Sequence, residues 1–319
     1  MPRIVIPDDA PPVMAPSAAY RKLLERAPVD YYGTLPANED QLIGRIAQAD
    51  IVLNIRSSTQ FGESVFARSP HLRLLSLWGT GTDNVDLGAA ARHGVTVTNT
   101  PGISAFSIAE HSLALMLAVA RRIPRLDAEV RHGGWPRGQA SQMHGKTLGI
   151  IGLGSVGRQF ARLGEGIGMR VLAWTMHPNP ALAVELVPLD DLLRSSDVVS
   201  LHLRLSAETR GFIGKPEIEK MKPSAILINT ARGAIVDESA LCEALAGSRI
   251  AGAGLDVFEA EPLPNGHPFT RMENVVLTPH SAGVTPEALE AGLELSIENI
   301  WNFLNGRPSN VVVSGNGVR

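Results

Sequence analysis

Apolar residues in this chain fall in short runs, separated by stretches with the three-to-four-residue spacing of a helix face. Ile4–Pro7, Ile51–Asn54, Leu72–Leu77 and Val95–Thr98 are continuously apolar and read as strands buried on both faces. Between them, Ser17–Arg26, Glu39–Ala47 and Val85–Arg92 read as helices. The alternation resumes with strands at Leu148–Gly152, Arg170–Trp174, Val198–Leu203, Ala225–Asn229, Ile250–Leu255 and Val275–Leu277. Helices are expected at Gln159–Gly166, Leu189–Ser195, Lys215–Met221 and Glu238–Ala246. This predicts an α/β chain with parallel sheets covered by helices on both sides. Ser104–Arg122 is a longer helix, with a capping serine, two arginines in its last turn and Pro124 just beyond. It is apolar on most sides, so it is expected to be buried between domains or subunits. The last helix, Pro286–Leu304, stops at Asn305-Gly306.

Length and charge narrow the possibilities. The 319 residues suffice for two domains, and 44% hydrophobic with 19% charged residues is ordinary for a soluble globular protein. A net charge of −3 gives no support to a nucleic-acid or anionic-membrane partner. Cys242 is the only cysteine, read as a packing residue, and no Cys or His cluster has metal-ligand spacing, so no metal is expected. The longest apolar run, Leu113–Ala120, is too short to span a bilayer, and Met1–Pro7 reads as a first strand, not a signal peptide. The expected location is the cytoplasm.

The candidate chemistry sits where strands end. Thr147–Ile151 runs into Gly152-Leu153-Gly154-Ser155-Val156-Gly157-Arg158 and then a helix. In this strand–turn–helix setting Gly152 makes the tight turn, Gly154 lets the backbone approach a pyrophosphate, and Gly157 lets helix and strand pack closely. The free N–H groups at the helix start would face the phosphates. Three other strands run into Thr230-Ala231-Arg232, into Asp256 and into Thr278-Pro279-His280. Each residue alone could be a surface arginine, a turn aspartate or a satisfied loop histidine. Together, beside a dinucleotide loop, they make a catalytic cluster. Glu110 and His111 are adjacent and do not share a helix face, so no dyad is expected there. Trp135 is expected to anchor packing or line a cleft.

These motifs resemble the D-isomer-specific 2-hydroxyacid dehydrogenases over nearly the whole chain. The segments that carry the likeness, besides the glycine loop, are Trp78–Asp86, Asn99–Gly102, Ala109–Leu115, Ile228–Gly233, Leu255–Phe258 with Glu261-Pro262, and Thr278–His280. The resemblance implies a Rossmann cofactor domain at 99–286, inserted into a flavodoxin-like substrate domain at 1–98 plus 287–319, both doubly wound. It implies an active site in the cleft, closure that excludes water, and a homodimer built on Ser104–Arg122.

By the same resemblance, Arg232 binds the substrate carboxylate and polarises the oxo group, His280 is the general acid–base, and Glu261 is its carboxylate partner, favouring imidazolium. Asp256 would contact the nicotinamide end. Ser155, Val156 and Arg158 would hold the pyrophosphate. Thr175, His177, His202, Thr230, Ala231, Ser281 and Gly283 complete the cofactor set. Arg56-Ser57-Ser58 and Gly79-Thr80-Gly81 would hold the substrate carboxylate.

Two features leave the cofactor as NAD or NADP. The turn Trp174-Thr175-Met176-His177-Pro178 lacks the acid that usually binds the adenosine ribose, yet it has no Arg or Lys for a 2′-phosphate. It leans to NAD, with His177 the one candidate for NADP. Arg204 either faces the adenosine pocket or is solvated.

The implied reaction is reversible reduction of a small-molecule 2-oxo acid to a D-2-hydroxy acid, with hydroxypyruvate or glyoxylate as default substrates. Glu261 argues against the formate dehydrogenase branch, which has glutamine there. The alternatives are 3-phosphoglycerate dehydrogenase activity, though the chain lacks the regulatory domain many of those carry, and a non-catalytic NAD-sensing scaffold like the C-terminal-binding corepressors. Phosphite oxidation is a smaller alternative.

Overall fold

The computed structural model describes residues 2–14, 16–178 and 184–315. They form two compact units, Met1–Ser104 with Thr285–Arg319, and Ala105–Val284.

The first unit alternates β1 (Ile4–Ile6), α1 (Ala18–Arg26), β2 (Val29–Tyr31), α2 (Glu39–Ile46), β3 (Ile51–Asn54), α3 (Glu63–Ala67), β4 (Leu74–Leu77), α4 (Leu87–Arg92) and β5 (Thr96–Thr98). In the second unit come α5 (Ala105–Arg121), α6 (Ile123–Arg131), β6 (Thr147–Ile151), α7 (Ser155–Gly166), β7 (Arg170–Trp174), β8 (Glu185–Leu186), α8 (Leu189–Ser195), β9 (Val198–Leu201), α9 (Lys215–Lys220), β10 (Ile226–Asn229), α10 (Glu238–Ala246), β11 (Gly252–Leu255) and β12 (Val275–Leu277). The chain then returns to the first unit with α11 (Pro286–Leu304) and β13 (Val311–Val313).

The first sheet has the order β13-β5-β4-β3-β1-β2. Its five leading strands are parallel in the flavodoxin order, and β13 joins antiparallel at the edge. The second sheet runs β12-β11-β10-β9-β6-β7-β8, all parallel, the doubly wound order of a Rossmann domain extended by one strand.

Side-chain alternation explains why both sheets are covered twice. Val5, Val52 and Leu75 join one apolar cluster, with α2 and α4. Their neighbours Ile4, Ile6, Ile51, Leu53 and Leu74 join the other, under α1 and α11. In the second sheet Ile151, Val199 and Leu227 face one cluster, while Ile150, Val198 and Ile228 face the cluster built with α5 and α7. Successive strand residues point to opposite faces, so continuous apolar runs require both faces to be buried.

Three expectations are refined. Within the chain the long helix α5 buries one side, through Ala105, Ala109, Ser112, Leu115, Met116 and Ala120, and leaves Phe106 65% exposed. The long helix ends before Pro124 as expected, but a second helix, α6, follows at once. Arg122 takes a left-handed φ of 54° that breaks the chain direction, and Pro124 sits in the first turn of α6, where its missing N–H costs nothing. Trp135 anchors no packing within the chain, since it is 76% exposed. The short β2, α3, β8 and β13 carry too few residues to show a period.

Candidate active site

In a parallel sheet all carboxyl ends share one edge. β6, β10, β11 and β12 therefore bring the glycine loop, Arg232, Asp256 and His280 to the same edge of the second unit.

The glycine loop has the shape a pyrophosphate site needs. Gly152 has φ 98°, and a Cβ there would lie 2.7 Å from the His202 carbonyl oxygen. At Gly157 a Cβ would lie 2.1 Å from the Gly152 oxygen, so α7 can start this close only with glycine. Gly154 is different. It is exposed, and a Cβ there would meet no atom within 4 Å. The packing of this chain does not require glycine at 154, whereas backbone approach by a phosphate does. Ser155 and Val156 open α7, and the exposed Arg158 donates to the Leu153 carbonyl, 3.3 Å away, beside the helix start. The residues present therefore fit a dinucleotide.

At the end of β12 the chain turns through His280, which adopts φ 51°. Such a conformation costs a non-glycine residue about 1–3 kcal/mol and persists only where surroundings hold it. Asp256, 1% exposed, does the holding. Its carbonyl accepts the His280 N–H at 2.7 Å. Its carboxylate accepts the Ser281 N–H at 2.9 Å, the Ala282 N–H at 2.8 Å and the Thr278 hydroxyl at 2.6 Å. With its carboxylate engaged by three donors, Asp256 shapes the backbone that presents His280.

His280 Nδ1 lies 2.6 Å from Glu261 Oε2, and the Phe258 N–H binds Glu261 Oε1 at 3.0 Å. Burial disfavours the ionised Glu261 carboxylate, but hydrogen bonds from His280 and Phe258 and the charges of His280 and Arg232 outweigh it. The group is held below its ordinary value. Both side chains are 34% exposed, and Nε2 of His280 carries no hydrogen bond among the described residues. An imidazole oriented by a carboxylate through one nitrogen, with the other presented outward, is built to move a proton.

Arg232 follows β10 in extended conformation, with its Nη1 2.8 Å from the Ala231 carbonyl. Asn229 sets this turn, accepting the Ala231 N–H and donating to the Arg232 carbonyl. Thr230 is buried, its hydroxyl 2.9 Å from Ser112 of α5.

The His202 ring is held from within the second unit. Its Nε2 is 2.9 Å from the Ser200 hydroxyl and its ring packs edge-on against the buried Phe160. Burial pulls its pKa down to about 3. Its backbone carbonyl lies beside the glycine loop, 2.7 Å from where a Cβ on Gly152 would stand. Thr175 and His177 lie in the turn after β7, His177 exposed, and Gly283 follows Ser281 in a turn closed by the Val284 N–H on the Ser281 carbonyl.

In the first unit, the Arg56 guanidinium is turned inward, donating to the Pro11 carbonyl 3.8 Å from Asp9. Ser57 and Ser58 are exposed. The Gly79 N–H donates to the Thr100 hydroxyl at 2.6 Å, so of its loop only Thr80 and Gly81 keep amides for a ligand. Asp8 is a support that pattern reading missed. Fully buried after β1, its carboxylate accepts the Ile55 and Arg56 N–H groups at 3.0 and 3.2 Å. Burial pushes its pKa up despite these bonds. The signal was present as an acidic pair, Asp8-Asp9, directly after an apolar strand. His111, weighed from the sequence only against its neighbour Glu110, finds its partner elsewhere. Its Nε2 lies 2.9 Å from the Thr278 hydroxyl, behind Asp256.

Residues 113–282 match the family of D-isomer specific 2-hydroxyacid dehydrogenase, NAD binding domain. A glyoxylate reductase of Korarchaeum cryptofilum is 38% identical over 309 residues, covering 93% of each chain. A D-3-phosphoglycerate dehydrogenase of Archaeoglobus fulgidus is 40% identical over 278 residues, covering 85% of this chain and 52% of its own. Among solved structures, an acyclic imino acid reductase in complex with NADPH and D-Arg superposes with a TM-score of 0.90 at 32% identity, over 98% of this chain and 100% of that one. The chain belongs to the D-isomer-specific 2-hydroxyacid dehydrogenases, a family of NAD(P)-dependent oxidoreductases.

Proposed function

We propose that this enzyme reduces a small, unphosphorylated 2-oxo acid, glyoxylate or hydroxypyruvate, to the D-2-hydroxy acid, with His280 as the proton donor. The observation that carries this reading is the His280–Glu261 pair, 2.6 Å apart on the sheet edge that also bears the glycine loop. When bound, the nicotinamide supplies the hydride. Glu261 orients the His280 ring through Nδ1, and the Nε2 proton passes to the oxo oxygen as the carbon is reduced. The Arg232 guanidinium, permanently charged and planar, pairs with the substrate carboxylate and polarises the adjacent carbonyl. Gly152, Gly154, Ser155, Val156 and Arg158 hold the pyrophosphate. Thr80, Gly81, Ser57 and Ser58 offer donors to a carboxylate, and the glycine loop of the second unit serves the cofactor.

An unphosphorylated substrate is favoured because Arg56, the cation of the 56–58 turn, is already engaged by Pro11 and Asp9. A second reading, reduction of an imino acid, draws on the likeness to the imino acid reductase. The working form we propose is a cytoplasmic homodimer, since Phe106, Ile123, Val130 and Trp135 expose large apolar surface along one segment. Among the described residues no helix is long and apolar enough to cross a membrane.

The test is oxidation of NADH and of NADPH with glyoxylate, hydroxypyruvate, phenylpyruvate and phosphohydroxypyruvate, each with and without ammonium. Turnover with glyoxylate or hydroxypyruvate supports the proposal. Turnover only with phosphohydroxypyruvate, or only with ammonium present, replaces the substrate. Cofactor binding with no turnover on any pair replaces the enzyme with a sensing scaffold.

A further inference from the structure

The loop from Phe258 to His267 carries Glu261, yet it has little internal support. Residues 259–262 and 264–266 are exposed, and only Leu263 between them packs against the apolar core. Segments with so few buried contacts open readily. A carboxylate 2.6 Å from one histidine nitrogen, however, needs a fixed position.

The fixing comes from outside the loop. Glu238, the first residue of α10, sends its side chain to both ends of it. Oε2 accepts the Glu259 N–H at 3.1 Å, and Oε1 lies 3.0 Å from His267 Nε2. His267 caps the short 3-10 turn Pro268–Arg271, where its Nδ1 accepts the Phe269 N–H at 3.3 Å. Because Nδ1 accepts, the ring proton is on Nε2, which donates to Glu238. One carboxylate therefore binds position 259 through a backbone amide and position 267 through a ring. The two side chains are 20% and 14% exposed, more covered than Glu261 and His280 at 34%. The backbone before α10 presses on the same place. A Cβ on Gly233 would lie 1.9 Å from the Phe258 carbonyl carbon and 2.4 Å from the Glu259 nitrogen.

We propose that Glu238 and His267 are a positioning pair that pins both ends of the Phe258–His267 loop and so keeps Glu261 on His280. The proposal rests on the reading of Glu261 and His280 as the acid–base pair. Neither Glu238 nor His267 contacts His280. The charged groups that act at the pair are Arg232, through the Glu261 carboxylate, and, behind the His280 backbone, Asp256 with His111.

The experiment uses the full chain with His267→Ala, His267→Gln and Glu238→Gln, reading amide hydrogen exchange over residues 258–267 and the pH profile of oxo-acid reduction. A glutamine at 267 can still donate an N–H to Glu238. His267→Ala is expected to speed exchange in the loop about tenfold, with exchange in β6 and β9 unchanged, and to lower kcat about tenfold. It should move the alkaline limb of the profile to lower pH, in the direction of Glu261→Gln, and His267→Gln should restore all three. If His267→Ala does not fold, Glu238→Gln, which keeps the size and one acceptor, should shift loop exchange and pH limb the same way by less. A wild-type limb and wild-type loop exchange in whichever variant folds overturn the proposal, even if Tm falls. If Glu261→Gln itself leaves kcat and the profile untouched, the acid–base reading fails instead, and loop exchange still decides whether the pair pins the loop.

Discussion

At the scale of single residues, the site is a set of charges whose placement decides their use. Glu261 is kept ionised below its ordinary range by His280, Phe258 and Arg232. A carboxylate depressed in the folded state stabilises the fold fully above its unfolded value of about 4.5 and loses that contribution as pH falls through the folded value. Wild type should therefore lose Tm below about pH 4.5 more steeply than Glu261→Gln, which has no such group to protonate. In Glu261→Gln the ring loses the carboxylate coupled to it, so the alkaline limb of oxo-acid reduction, which belongs to the pair, should move to lower pH. Titration of initial rates checks this, and a limb that stays in place with activity retained would uncouple the pair. Arg232, Glu261 and His280 were legible because each follows a recognisable motif. The inward turn of Asp256 and His202 was not, since a motif names a position and not the side-chain direction. Glu238 and His267 were silent for the same reason: their partners lie about twenty to thirty residues away.

Elements set the next level of the account. Each strand of both sheets was foreseeable where its run of apolar residues was long enough to bury both faces, as in Ile51–Asn54 and Arg170–Trp174. The edge strands β2, β8 and β13 were missed, being two or three residues long and partly exposed. α6 was hidden by Pro124, which reads as a stop yet also suits a start. The glycine loop makes a sharper prediction. Gly154→Ala introduces a methyl group into open space in the protein, so Tm should hold to within about 2 °C. If the pyrophosphate lies on that backbone, the same methyl should raise the Kd for NADH or NADPH about tenfold or more, roughly 1.4 kcal/mol. Calorimetric titration reads both cofactors, and an unchanged Kd would remove the phosphates from this loop.

For the molecule as a whole, the exposed side chains of Phe106, at 65%, and Trp135, at 76%, predict association through one segment. In sedimentation equilibrium the chain should weigh about twice its 34.0 kDa, and Phe106→Glu with Ile123→Glu should return it to a monomer. A monomeric wild type would refute the homodimer. Alternating strands and helices made the two-sheet α/β plan readable from the chain alone. The strand orders came from the structure, because the sequence does not state which strands are neighbours. The central claim is that His280, posed by Glu261, gives the proton that completes hydride reduction of a 2-oxo acid. The most direct test is kcat of His280→Ala with saturating cofactor and oxo acid, alongside its Kd for the cofactor. A kcat about 10²–10⁴-fold below wild type with cofactor affinity kept is the predicted result. A kcat equal to wild type would contradict the account, since the proton would then come from elsewhere.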